Sequence, residues 1–153
     1  MNYTNWQDDD YLPPAKWFLP AVMIFTLVFL GLVIAFAHAD ETQIIAEVIA
    51  AEACGEDEIG LRAVACVVVN RAKAQGISPY AVVTARNQFY GYTAENRYAL
   101  YLQVKPIVDR LAKDIMRLND ITNGALYFRR PDEKMFKWCR TETFRYKNHI
   151  FYK

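Results

Sequence analysis

The sequence predicts an α+β domain that is mainly helical, carries a small C-terminal β-hairpin or sheet, and is preceded by one N-terminal transmembrane helix. Three observations support this fold class. Residues 18–37 form an uncharged apolar run of twenty residues. Helical spacing of apolar side chains dominates residues 42–118. Residues 125–152 are rich in aromatic and β-branched side chains, which favour strands.

The apolar run is long enough to cross a membrane, since about 20 helical residues at ~1.5 Å each span the ~30 Å hydrocarbon layer. It is longer than the apolar core of a signal peptide, and the leader at 1–17 is acidic, whereas signal peptides begin with a positively charged region. An A-x-A motif ending at Ala39 nevertheless matches a signal-peptidase site. We therefore predict a signal anchor or signal peptide at 18–39. The uncleaved anchor is favoured, with secretion after cleavage at Ala39 as the alternative.

The basic residues that flank the apolar run predict its orientation. Lys16 lies just before the run, and the next basic residue is Arg62. This bias places the N-terminus in the cytoplasm and exports the working domain, residues 40–153, to the periplasmic or cell-wall side. A domain of this length can bury one modest core.

Charge and cysteine content narrow the function of residues 40–153. When Lys16 and the leader aspartates are set aside, a surplus of positive charge remains, and it is concentrated in the aromatic C-terminal third, which suits a polyanionic partner. The cysteines are Cys54, Cys66 and Cys139; because three is an odd number, at least one is unpaired or pairs between chains. The absence of a C-x-x-C motif and the presence of only two histidines argue against a metal site, and no cofactor is expected.

Periodicity and capping signals divide the working domain into elements. Glycines end the first two helices, and the second is apolar almost all round, which predicts the central buried helix. Asn87–Thr93 lacks periodicity and is predicted to be an ordered loop, and Pro106 predicts a kink or break in the last helix. The predicted helices are Thr42–Ala53, Glu58–Ala74, Tyr80–Ala85 and Ala94–Leu118. The predicted strands are Ala125–Arg129 and a hairpin within Thr141–Tyr152 that turns at Lys147-Asn148.

Glu52 is the residue that carries most information about chemistry. In a helix it shares one face with the apolar residues at 45, 48 and 49. A carboxyl on an apolar stripe loses hydration when charged, which raises its pKa and keeps a proton available near neutral pH. Glycoside cleavage requires such a general acid. The alternative is a structural glutamate paired with Arg71, and spacing alone leaves both open. Glu47 points away from this face and is predicted to be an ordinary exposed residue.

Four stretches of the sequence, in order, resemble the SleB/CwlJ cell-wall hydrolase family. Glu52-Ala53-Cys54-Gly55-Glu56 matches the E-A-x-G-E motif of that family, and a helix with its G-x-x-A-V-A-x-V-x-x-N-R pattern follows and ends at Arg71. Gln88-Phe89 matches the Q-F loop, 124–128 the G-A-x-x-[FY] strand, and 148–152 the terminal N-H-x-F-Y. The sequence departs from the family at Cys54, at Tyr90, where serine is common, and at Lys147, where the family has glycine.

This resemblance implies a lysozyme-like helical fold and cleavage of the β-1,4 bond between N-acetylmuramic acid and N-acetylglucosamine, usually as a lytic transglycosylase. Glu52 would be the sole acid and base. The muramic acid 6-hydroxyl would attack C1 and give a 1,6-anhydro product, so that no second carboxylate is required. A retaining hydrolase would need a second carboxylate about 5 Å away.

The same resemblance implies a set of residues that contact substrate. Glu56 would orient the loop or a sugar, or else only begin the next helix. Gln88 and Phe89 form the Q-F loop and would both contact substrate. Gln88 would bind an N-acetyl group, or else only satisfy loop backbone. Tyr127 would stack on a sugar and hydrogen-bond through its hydroxyl. His149 would hold the polar network of the cleft or be structural.

Other functions stay open at this stage. Hydrolytic muramidase differs from a transglycosylase only in product, whereas an amidase usually needs zinc ligands that are scarce here. A non-catalytic, membrane-anchored scaffold that binds cell wall or nucleic acid is a further alternative. The expected partners are peptidoglycan glycan strands and, through the N-terminal helix, the membrane; neither nucleic acid nor an obligate protein partner is expected. The context is a phage endolysin or a wall-remodelling enzyme, and Trp138 is equally compatible with the core and with a glycan platform.

Overall fold

The computed structural model describes residues 18–134 and 141–153. The chain divides into two compact units, Met1–Ala37 and His38–Lys153. The leader at 1–17 and the residues Trp138 and Cys139 lie outside the described residues.

Helix α1 runs from Phe18 to Ala53. The sequence predicted a separate helix from Thr42, but no glycine or proline interrupts residues 32–53, so the helix continues without a break. Residues 18–37 are exposed throughout. By length and composition this helix is able to cross a membrane, criteria that a signal sequence near the N-terminus also meets.

Helix α2, Glu58–Gln75, is the buried centre of the second unit, as predicted. Asp57 caps its N-terminus, where its side chain accepts hydrogen bonds from the backbone N–H groups of Ile59 and Gly60. Gly76 ends it in the left-handed conformation, with φ of 67°. These two caps explain why the observed helix ends within one residue of the predicted bounds.

The helices that follow are shorter than the sequence predicted or shifted by a residue. Helix α3 covers Pro79–Thr84, and a 3-10 turn covers Tyr90–Thr93 within the predicted loop. Helix α4 covers Arg97–Lys113, begins later and ends earlier than predicted, and continues through Pro106 rather than breaking there. A second 3-10 turn, Ile115–Arg117, follows it.

The C-terminal residues form a three-stranded antiparallel sheet. Strand β1 is Tyr127–Arg129, β2 is Glu142–Tyr146 and β3 is His149–Tyr152. The predicted hairpin joins β2 to β3 through Lys147 and Asn148, and Lys147 adopts a positive φ of 43°. The order is β1-β3-β2, so that β3 is central, and all four of its residues are buried.

The main core packs the C-terminal part of α1 and one face of the sheet around α2. Val48, Ile49, Leu61 and Phe151 are fully buried in it. The two faces of the sheet differ, because Phe128 packs against this core whereas Tyr127 packs against a smaller cluster of Ile150 and Tyr152. Strand β1 therefore brings adjacent aromatic side chains to opposite faces of the sheet.

Candidate active site

Glu52 lies in the last turn of α1, where it is half-buried. Its Oε1 accepts a hydrogen bond of 2.6 Å from the backbone N–H of Gly91. Burial raises the pKa of the Glu52 carboxyl, and this outweighs the Gly91 hydrogen bond and the positive charge of Arg71, both of which lower it. The proton is therefore retained to higher pH than on an ordinary glutamate.

Gly91 permits this contact because it has no side chain. A Cβ at this position would lie 2.9 Å from the Cβ of Ala51 and 3.1 Å from both the backbone oxygen of Val48 and Oε1 of Glu52. Gly91 is not among the site residues predicted from the sequence, although a glycine inside an ordered loop can indicate a close approach of the backbone.

Two cavities meet at Glu52. The larger, about 600 Å³, is lined by the 87–91 loop, the start of α4, strand β1 and the residues after it. The smaller, about 330 Å³, is lined by residues 51–56, 130–132 and 148–149. Both include Ala51, Glu52, Arg130 and His149, so the carboxyl sits where the two cavities adjoin.

Arg71 supports the larger cavity instead of serving only as a counter-ion for Glu52. Its Nε donates to the backbone oxygen of Leu126 at 2.6 Å, and its Nη1 donates to Gln88, to the backbone oxygen at 3.2 Å and to Oε1 at 3.0 Å. The guanidinium also lies over the rings of Phe89 and Tyr127, 4.8 and 5.2 Å from their centroids. One buried arginine thus ties the Q-F loop to the start of β1.

Gln88, Tyr127 and Phe89 occupy different positions relative to the larger cavity. Gln88 and Tyr127 line it. Phe89 does not, because its ring is buried in the main core beneath Arg71. The expectation that Phe89 contacts substrate is therefore corrected: the apolar ring packs inside, and Gln88 reaches the surface.

Glu56 and His149 form a buried polar pair beside Glu52. Nδ1 of His149 lies 3.3 Å from Oε1 of Glu56, although the two atoms are not aligned for a hydrogen bond. The same oxygen accepts the backbone N–H of Asn148 at 3.2 Å. Glu56 packs against Gly60, where a Cβ would lie 2.4 Å from its own, and both members of the pair line the smaller cavity. Burial lowers the pKa of His149, and this outweighs the negative charge of Glu56, which raises it.

Tyr90, Arg130 and Glu133 are among the residues of the larger cavity that were not predicted from the sequence. Tyr90 is 84% exposed there. Arg130 and Glu133 lie in the turn after β1, and Glu133 adds a second carboxylate to the cavity that contains Glu52. Tyr90 directly follows the Q-F motif, at a position where serine is common in the family. No motif marks Arg130 and Glu133, because their position depends on how the turn after β1 folds.

Glu47 is not the exposed residue that its helical position predicted. It is 5% exposed, and its carboxylate forms a 2.8 Å ion pair with Nε of Arg97. Nη1 of Arg97 also donates to the backbone oxygen of Tyr92. The loop that carries Gly91 covers this face of α1, so Glu47 helps to hold that loop in place.

Comparisons with known proteins agree with the fold. A sequence model of a family described as Cell Wall Hydrolase matches residues 55–152, starting three residues after Glu52. The catalytic domain of the Bacillus cereus SleB protein is similar in structure, with 26% identity and a TM-score of 0.62, covering 75% of this chain and 91% of that one. The catalytic domain of the germination-specific lytic transglycosylase SleB from Bacillus anthracis has 28% identity and a TM-score of 0.60, covering 74% and 93%. No curated protein matched the sequence.

Proposed function

This chain belongs to the Cell Wall Hydrolase family, and we propose that it cleaves the β-1,4 bond between N-acetylmuramic acid and N-acetylglucosamine in peptidoglycan. The proposed reaction is that of a lytic transglycosylase, the activity named for the similar Bacillus anthracis domain. Glu52 is the proposed acid and base.

The observation that carries this proposal is the environment of the Glu52 carboxyl. Burial raises its pKa, Gly91 fixes its position, and cavities adjoin it on two sides. A general acid that cuts inside a glycan strand needs all three: a proton near neutral pH, a defined orientation, and room for sugars on both sides of the bond.

The proposed step needs no water and no second carboxylate. Glu52 gives its proton to the glycosidic oxygen as the bond from that oxygen to C1 of muramic acid breaks. The 6-hydroxyl oxygen of the same muramic acid forms a new bond to C1, and its proton passes to the Glu52 carboxylate. The products are a 1,6-anhydromuramic end and a free N-acetylglucosamine hydroxyl, and Glu52 is protonated again.

Analysis of released muropeptides by mass spectrometry tests the proposal. We expect the full-length chain to release anhydromuramic ends, and Glu52→Gln to lose at least about a thousandfold in rate, since an amide cannot donate the proton. Glu58→Gln is the matched control, because Glu58 is an exposed glutamate on α2 that pairs with Arg110. Unchanged release by Glu52→Gln would reject Glu52 as the acid, and no release by the wild type would favour a non-catalytic scaffold.

Hydrolysis is the second candidate, and the position of Glu133 favours it. This carboxylate lines the larger cavity with Glu52 and its charge acts on the Glu52 pKa, so it is available to activate water or to stabilise charge at C1. A hydrolase would release reducing muramic acid and would be inactivated by Glu133→Gln. A transglycosylase would keep its anhydro product in that variant.

We further propose that residues 18–39 anchor the chain in a membrane and that residues 40–153 act outside the cytoplasm, where peptidoglycan lies. The length and composition of α1 support the anchor. A phage endolysin and a bacterial wall-remodelling enzyme both fit this arrangement. Membrane fractionation before and after carbonate extraction tests it, since a cleaved signal peptide would leave a shorter, extractable chain.

A further inference from the structure

The turn that follows β1, residues 130–133, is held in shape by Arg129. Its Nη1 donates to the backbone oxygens of Arg130 at 2.8 Å, Pro131 at 3.1 Å and Glu133 at 2.8 Å. Its Nε donates to the hydroxyl of Tyr152 at 3.0 Å. The Arg129 guanidinium is therefore committed to protein oxygens, and it fixes the backbone from which the side chain of Arg130 projects.

Arg130 lies near the Glu52 carboxyl, and its guanidinium is available to a ligand. Within residues 18–134 and 141–153 its guanidinium forms no hydrogen bond or ion pair, and the side chain is exposed. It lines both cavities. Burial has the largest effect on the pKa values of Glu52 and His149, and the positive charge of Arg130 lowers both of them. The Arg130 guanidinium therefore lies close to where the cavities adjoin.

The other charged groups of the larger cavity do not provide an equivalent cation. Arg71 is buried and donates to Leu126 and Gln88. Glu133 contributes a negative charge, and its Oε2 accepts the backbone N–H of Arg130 at 3.0 Å. Arg130 is therefore the cation of this cavity that is available to an anionic ligand group, and the Glu133 carboxylate opposes the binding of an anion away from Arg130.

We propose that Arg130 binds a carboxylate carried by the muramic acid residue of the substrate. This inference rests on the proposed function and adds to it a subsite for an acidic substituent. The sugar rings of the glycan strand are uncharged, whereas the lactyl group of muramic acid ends in a carboxyl. That carboxyl is either free or joined to a stem peptide with carboxylates of its own. The planar fork of a guanidinium matches a carboxylate through two parallel hydrogen bonds.

The subsite predicts selectivity among glycan strands. Strands whose muramic acid carries a carboxylate bind more tightly than strands in which that carboxyl is neutral. The preference weakens as salt concentration rises, because Arg130 is exposed and its attraction for an anion is screened.

A binding measurement on the full-length chain in detergent tests the subsite. The chain carries Glu52→Gln, so that bound strands are not cut, and its Kd is measured for three preparations of the same soluble strands. The first bears stem peptides, the second has been stripped by an amidase and has free lactyl carboxylates, and in the third every carboxyl has been converted to a neutral amide.

Adding Arg130→Gln is expected to raise the Kd for strands with carboxylates about tenfold, as the loss of one charge-assisted contact implies, and to leave the neutral strands unchanged. Arg130→Lys keeps the charge but loses the fork and is expected to fall in between. Lys134→Gln removes a neighbouring positive charge that lines neither cavity, and is expected to bind like the parent.

Each result decides the proposal. An effect confined to peptide-bearing strands identifies the stem peptide as the source of the carboxylate, and an effect on stripped strands identifies the lactyl group. Equal weakening for neutral strands, or no weakening for any preparation, overturns the carboxylate subsite. Failure of the proposed function is seen separately, as an absence of cut products from the wild-type chain.

Discussion

The protonation of Glu52 depends on opposing local influences. Desolvation raises its pKa, whereas the N–H of Gly91 and the charge of Arg71 stabilise the carboxylate and lower it. The acid must be protonated to donate, so activity is expected to fall as pH rises through this elevated pKa. The same hydrogen bond stabilises the carboxylate that forms when the proton leaves.

Gly91→Ala is expected to lower kcat by about a hundredfold, because the added methyl group displaces the loop from α1 and lengthens its contact with Glu52. Loss of the N–H contact also raises the pKa of Glu52 further, so the alkaline limb of the pH–rate profile moves to higher pH. Gly31→Ala is the control, since a Cβ added at Gly31 would have no atom within 4 Å. A profile with an unmoved alkaline limb would contradict the role given to Gly91.

Glu56→Gln is expected to lower the pKa of His149 further, because burial already lowers it and the charge that opposes this effect is removed. The neutral imidazole is then favoured over a wider pH range. Titration of the His149 ring by NMR measures the shift, and His149→Gln identifies the signal. Glu58→Gln serves as the control, and an unchanged or raised pKa of His149 would disprove the coupling.

At the scale of elements, Asp57 joins the start of α2 to the β2–β3 turn. It caps the helix, accepts a 2.7 Å hydrogen bond from the Tyr146 hydroxyl, and lies 2.8 Å from Nζ of Lys147. Hydrogen bonds from Lys147 and Tyr146 hold the pKa of Asp57 well below its usual range. Lys147 stands where the family pattern has a glycine, and its backbone is in the left-handed conformation. This conformation is compatible with the ion pair between Lys147 and Asp57.

Asp57→Asn is therefore expected to lower the melting temperature at pH 7. The pKa is lower in the folded than in the unfolded state, so this contribution to stability is present above about pH 4 and is lost as pH falls through the folded value. The difference in melting temperature from the wild type should shrink below pH 4. Asp114→Asn, an exposed carboxylate 4.0 Å from Arg117, is the control. A difference that stays constant with pH would argue against the charged cap.

The helices show what neighbouring residues determine. Capping by Asp57 and Gly76 sets the bounds of α2, and both signals are visible in the sequence. Helix α4 starts later than predicted because Ala94, which ends the 90–93 turn, is in an extended conformation. Gly91 in that turn donates its backbone N–H to Glu52, 39 residues away along the chain. The spacing of apolar residues along the chain cannot predict a hydrogen bond between residues so far apart in sequence.

In the molecule as a whole, one main core packs the helices together with the sheet, and these elements line the two cavities at Glu52. Leu61→Ala on α2 removes a fully buried side chain and is expected to reduce the free energy of unfolding by about 2–5 kcal/mol. Denaturant unfolding measures this loss. Leu102→Ala, at a position 52% exposed, is the matched control and is expected to change stability little. Comparable losses in both variants would contradict the assignment of the core.

The order and type of most elements, the hairpin turn, and a carboxyl on an apolar helix face could all be predicted from the amino-acid sequence. These follow from side-chain periodicity, capping and turn chemistry among residues close in the chain, and the ordered motifs added the family. The strand order and the burial of Glu47 and Phe89 could not be predicted in this way. The same holds for the Gly91–Glu52 hydrogen bond and for the cavity that Arg130 and Glu133 share with Glu52. These features depend on which distant segments of the chain pack together, and the pattern of neighbouring residues holds no information about that packing.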